Sequence, residues 1–136
     1  MLKVDTTHWP LALINLRGAQ SIEAHQHLLN EWDKLFEAKQ KFIFVRVFHD
    51  DASTKHSKEI GQLTLDWLDK GAREAIKAWC EAMVIIVPQE TFRSMKNKSV
   101  PRVFGVPGGI FPSKDHANQW LITHCHISLP TSLMHK

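Results

Sequence analysis

The residues best suited to chemistry in this sequence are its nine histidines and the acidic pair that follows His49. Apart from His8, the histidines fall into groups: His25 and His27, His49 and His56, His116, His124 and His126 around Cys125, and His135. A metal centre needs three or four ligands converging at about 2.0–2.3 Å. His124 and His126 are two apart, so on a helix they diverge by roughly 200°, and the same holds for His25 and His27. No third ligand follows from spacing, so neither a metal nor any other cofactor is expected. Scattered surface imidazoles are the plain reading, and a pH response near neutrality is the alternative.

Nucleophilic catalysis needs a thiol or hydroxyl beside a base. Cys80 opens an apolar stretch and reads as a small core filler. Cys125 has histidine neighbours, but adjacent side chains point apart. His49, Asp50 and Asp51 end the strongest strand signal of the chain, and open α/β sheets bind ligands at the carboxyl ends of their strands. They are the candidate acid–base or partner-contact residues, against the simpler reading of a solvated strand end. Arg46 sits mid-strand between Val45 and Val47. A buried guanidinium there needs a carboxylate such as Asp50 or Asp66, or a stem lying along the sheet with its charge in water. Trp32, Trp67, Trp79 and Trp120 fall on apolar helical faces and are expected in the core, which leaves Trp9 as a candidate partner anchor. Val106-Pro107-Gly108-Gly109 lacks the phosphate-loop pattern and precedes a strand, so its glycines are expected to serve a turn.

These residues must be held by alternating strands and helices. Val4 to Pro10 reads as a short first strand and turn, and Leu11–Leu16 as a second strand closed by Arg17-Gly18, free to pair antiparallel with the first. Ser21 is an N-cap, and Ile22, His25, Leu28, Leu29, Trp32, Leu35 and Phe36 recur at helical spacing. Lys41–Phe48 is apolar on both faces, as a central strand should be. Ser57–Trp79 reads as helix with a break at Gly71, Ala82–Val87 as a buried strand, Glu90–Lys98 as a short basic helix, and Ile110-Phe111 as the last strand. Ser113 caps a final helix with Ala117, Trp120 and Leu121 on its inner face. The expectation is one α/β domain over residues 1–125, a mixed, mostly parallel sheet with about four helices, followed by a flexible C-terminal tail over 126–136.

Composition narrows the function classes. The chain has 136 residues, 43% hydrophobic and 23% charged, which suits one globular domain. A net charge of +3 is mild, and Arg93, Lys96, Lys98 and Arg102 make no basic stripe, so nucleic acid is not an expected partner. Two unpaired cysteines fit a reducing, cytoplasmic setting. Met1–Asp5 has no apolar leader, and the longest apolar run, Ala82–Val87, is far below the ~18 residues of a transmembrane span.

The layout resembles the SpoIIAA-like branch of the STAS superfamily over roughly residues 3 to 122. The likeness is carried by the strand ending in Arg17-Gly18, the strand Phe42–Phe48 ending in acidic residues, and Asp66-Trp67-Leu68 with Arg73. It continues through Trp79–Val84, Arg93, and Val106–Phe111 followed by Ala117, Trp120 and Leu121. The resemblance implies a non-enzymatic regulatory domain that binds a protein partner or itself; if itself, a homodimer is the expected form, because symmetric pairs are the commonest oligomers. It also implies phosphorylation of a Ser or Thr after the central strand, here Ser53 or Thr54, although the glycine that follows the serine in that family's motif is replaced by Thr54-Lys55. The bland reading has Ser53 or Ser57 merely capping a helix. Two further functions are carried forward. One is binding of a small apolar or lipid-like ligand between helices and sheet. The other is a weak hydrolase or transferase using His49, Asp50 and Asp51.

Overall fold

A computed structural model describes residues 3–95 and 98–134. Four strands, β1 (Leu11–Leu16), β2 (Phe42–Phe48), β3 (Cys80–Ile86) and β4 (Gly108–Phe111), form one sheet in the order β1-β2-β3-β4, and every neighbouring pair is parallel. The α/β class is as expected. The expected first strand is not formed: Asp5 makes a single antiparallel bridge with Leu13, and the following residues turn into β1. The three consecutive polar residues Asp5-Thr6-Thr7 offer no apolar alternation to keep a strand on the sheet.

Parallel strands require crossovers, and crossovers are right-handed almost without exception. A sheet that grows in one direction therefore receives all its connecting helices on one face. Helices α1 (Ile22–Glu37), α2 (Lys58–Trp67), α3 (Arg73–Trp79), α4 (Gln89–Ser94) and α5 (Val100–Phe104) lie between successive strands. Their inner residues Leu28, Trp32, Ile76 and Val100, with Leu68 between α2 and α3, join Ile14, Phe42, Phe44 and Ile85 of the sheet in one core. Trp32 stacks on Phe44 with ring centroids 4.0 Å apart. The other face, with Leu13, Val45, Val47, Val84 and Ile86, is left for whatever follows β4. Helix α6 (Lys114–Cys125) covers it with Ala117 and Leu121.

That leftover face explains why residues 126–134 pack against the sheet where the sequence predicts a loose tail over 126–136, of which 135 and 136 lie outside the described residues. Leu129 and Leu133 are only 4% and 8% exposed and belong to the second core. Leu133 sits in a short helix, α7 (Thr131–Met134), and the Leu129 amide donates to Asn118 Oδ1 at 2.7 Å. Serines start four of the helices: Ser21, Ser57, Ser99 and Ser113 each accept a backbone N–H two or three residues into the turn they cap. The basic helix expected over Glu90–Lys98 is shorter: α4 ends at Ser94, residues 96 and 97 lie outside the described residues, and Ser99 and Pro101 begin the separate helix α5.

The region expected as one helix with a break at Gly71 has that break. A π-helical turn, Leu68–Ala72, joins α2 to α3, and Gly71 adopts φ 123°, a conformation that side-chain-bearing residues rarely take. Contact with the sheet is carried by Leu68 and Ala72 of this turn and Ile76 of α3. Helix α2 itself buries only Ile60. Leu65 is 51% exposed, and Trp67 is half-buried over Phe36 and Trp32. Trp79 and Trp120 are half-buried too, leaving Trp32 as the fully enclosed tryptophan.

If residues 127–134 are structural cover, Leu129→Ala and Leu133→Ala will each lower unfolding free energy by about 2–3 kcal/mol in urea titrations. A dangling tail would leave the midpoint unmoved.

Candidate functional site

The sequence places its candidate contact residues at the carboxyl end of β2, and the structure uses them there as fastenings. Asp50 accepts the Gly18 amide at 3.0 Å and the Ser53 amide at 2.9 Å, which ties the β1 exit to the β2 exit. Those backbone donors hold its carboxyl below the ordinary carboxylate range. Asp51 turns the other way and accepts the Thr91 hydroxyl of α4 at 2.6 Å. His49 reaches back to Asn15 Oδ1 of β1 at 2.7 Å. Three adjacent residues thus point to three different elements. Ser53 lies in a short 3-10 turn, Ala52–Thr54, is 0% exposed, and donates its hydroxyl to Asp50 O at 2.7 Å. Thr54 donates likewise to Asp51 O. A kinase reaches Ser53 only after that turn opens, and the cap of the next helix is Ser57.

Trp9 is half-buried against Phe42, and its indole N–H donates to Gln40 Oε1 at 3.0 Å. Cys80 is buried, and burial pushes its thiol up to about 12. Cys125 is raised for the same reason. Among the described residues no three His, Cys, Asp or Glu side chains gather as metal ligands. No described helix is long and apolar enough to cross a membrane.

What sequence reasoning missed lies on the crowded face. Because α2 stands off the sheet, a cavity of about 270 Å³ opens between α2 and α5. Ile60, Gly61, Thr64 and Leu65 of α2 form one wall, with Leu68 below them. Val100, Val103 and Phe104 of α5 form the other, preceded by Lys98 and Ser99. Ile85 of β3 and Ile110 of β4 supply the sheet side. His25 of α1 and His56, from the loop before α2, line it as well. No Asp or Glu does.

Arg46 belongs to the same row of the sheet: Ile14, Arg46, Ile85 and Ile110 are successive partners across the four strands. It finds neither of the carboxylates the sequence offered. Asp50 is taken by backbone amides, and Asp66 accepts Gln62 Nε2 on the outer side of α2. Among the described residues Arg46 forms no ion pair, and its Nε is buried without a hydrogen-bond partner. Its guanidinium carbon sits 5.8 Å from the centre of the Phe48 ring. The residue keeps partial exposure, yet burial lowers its pKa to about 10.

The electrostatic neighbours of Arg46 are the two cavity histidines. His25 is 3% exposed, with Nε2 2.7 Å from Thr64 Oγ1. The Thr64 hydroxyl donates its own proton to Ile60 O, so Oγ1 accepts and Nε2 of His25 carries the hydrogen. Nδ1 is then a bare lone pair, buried and unpartnered. Burial first, then Arg46 and His56, drives the His25 pKa down to about 4. His56, its ring centroid 6.0 Å away, is lowered by partial burial, Arg46 and Lys98. The cavity is thus apolar over most of its lining, with one edge where every ionisable group is a base.

No family model, curated protein or solved structure matches this chain, so the likeness to the SpoIIAA-like family rests on sequence layout alone.

His25 supplies a pH test. In the unfolded chain it takes a proton near its ordinary value of 6.5, but in the fold only near 4. Its contribution is complete above pH 6.5 and drains away as pH falls toward 4 and through it. Imidazole nitrogen NMR is expected to show the Nε2–H tautomer unprotonated at pH 5.5, and the urea midpoint is expected to drop between pH 6.5 and 4.5 less in His25→Gln than in the parent.

Proposed function

We propose that this protein binds a small, largely apolar molecule in the cavity between α2 and α5. The observation that carries the reading is the cavity itself: among the clefts of the described residues it is the one lined almost wholly by apolar side chains, and it is bordered by Leu65 and Val103 at 51% and 47% exposure. Apolar side chains at a cleft mouth gain about 25 cal/mol for each Å² that a ligand removes from water. At about 270 Å³ the space is nearly twice that of an engineered protein cavity of roughly 150 Å³ that takes up benzene. A molecule of about a dozen heavy atoms fits that scale.

The partner-binding role that the family resemblance implies uses a surface, not a hole. Leu65 and Val103 are exposed enough to serve such a role as well, and one substitution separates the two readings. Gly61 lines the cavity, has an ordinary helical conformation, and has nothing within 4 Å of where a Cβ would stand. Gly61→Leu is expected to fill the space, to hold or raise stability by up to about 1 kcal/mol through helix propensity, and to leave the outer surface intact. Titration with the neutral fluorescent probe N-phenylnaphthylamine should give one site in the parent and a loss of about tenfold or more in affinity in Gly61→Leu. Equal probe binding by both proteins removes the cavity as the site.

A further inference from the structure

Resting on that reading of the cavity, we propose that the ligand's head is a carboxylate, seated between Arg46 and His25, so that the natural ligand is a medium-chain aliphatic monocarboxylic acid. The first support is charge. The ionisable groups that line the cavity are His25, His56 and Lys98, and Arg46 stands in the same sheet row as Ile85 and Ile110. None has a carboxylate partner among the described residues. A half-buried guanidinium whose Nε is enclosed without a partner is costly, and the cost is recovered when an anion arrives. A planar carboxylate is the anion that a guanidinium fork pairs with best while leaving an aliphatic chain free for apolar walls.

The second support is hydrogen bonding. Two buried atoms lack partners: an acceptor, His25 Nδ1, in the cavity lining, and a donor, Arg46 Nε, on the sheet row that ends in the lining residues Ile85 and Ile110. The Nε2–H to Thr64 contact fixes the tautomer, so Nδ1 presents a lone pair. A carboxylate oxygen facing that lone pair would be repelled unless a proton stands between them. Binding at neutral pH therefore takes one proton from solvent onto Nδ1, which then donates to the carboxylate while Arg46 pairs with it. The filled site then holds guanidinium, imidazolium and carboxylate, a net charge of +1 beside the exposed His56 and Lys98 of the lining. The chain of the acid then runs between Ile60 and Phe104, and any carbon beyond about a dozen emerges past Leu65 and Val103.

Calorimetry with decanoate, decanol and decylamine tests the head and the cavity separately. Decanoate is expected to bind the parent about tenfold or more tighter than decanol, and decylamine weakest of the three. The preference for acid over alcohol should vanish in Arg46→Met, which replaces the cation with an apolar side chain of similar length. In the parent alone, binding heats compared across buffers of different ionisation enthalpy should show about one proton taken up with decanoate at pH 7 and none with decanol. If decanol matches decanoate, or decylamine binds best, the carboxylate head is wrong while the cavity reading stands. If none of the three binds, both fail. Retention of the acid preference in Arg46→Met, or decanoate binding without proton uptake, overturns the seat assigned to Arg46 and His25.

Discussion

The handedness of β-α-β crossovers governs this molecule more than any single contact. Strands added strictly in the order β1-β2-β3-β4 send every connecting helix to the same side. Five helices then compete for one face of a four-stranded sheet, while the opposite face depends on α6 and the short segment after it. The crowding has a local solution at Gly71. A π-helical turn lets α3 lie on the sheet and frees α2 to lean outward. The cavity is the space that this compromise leaves open.

The same strand order relocates the chemistry. Ligands in open α/β sheets sit at the crevice where the strand order reverses. A sheet that never reverses has no switch point, and although a cleft lined by His49, Ser113 and Lys114 remains at its carboxyl end, the acidic residues after β2 are spent otherwise. Asp50 clasps two loops, Asp51 anchors α4, and His49 ties β2 to β1. What would be an acid–base cluster in another topology is here a set of stitches between neighbouring connections. The unsatisfied groups, which are costly and therefore informative, lie instead beneath the helices: Arg46 Nε and His25 Nδ1 are buried and unpartnered, and Gln20 Oε1 ahead of α1 is a third such atom.

Much of the fold could be read directly. Phe42–Phe48 and the run through Ile86 are apolar at nearly every position, which only a strand covered on both faces tolerates. Serine caps and Gly71 marked helix starts and the break through local chemistry. The first strand misled because its apolar residues, Val4 and Trp9, are too few to pair. The C-terminal segment misled because Leu129 and Leu133 look isolated in sequence and acquire meaning only opposite Val45, Val84 and their neighbours. The site was half legible: Arg46 stood out as a charge among Val and Phe, but its relation to His25, twenty-one positions earlier, could not be read from spacing.

The sequence by itself determined the class of fold, the alternation of strand and helix, and the presence of one charge in the middle of an apolar strand, because these depend on side-chain periodicity and on the cost of burying polar groups. Only the tertiary structure decided which face each element covers, that α2 stands clear of the sheet, and that His25 and His56 line a cavity whose sheet side continues the row of Arg46. Those are outcomes of crossover geometry and packing between residues far apart in the chain, and no local pattern encodes them.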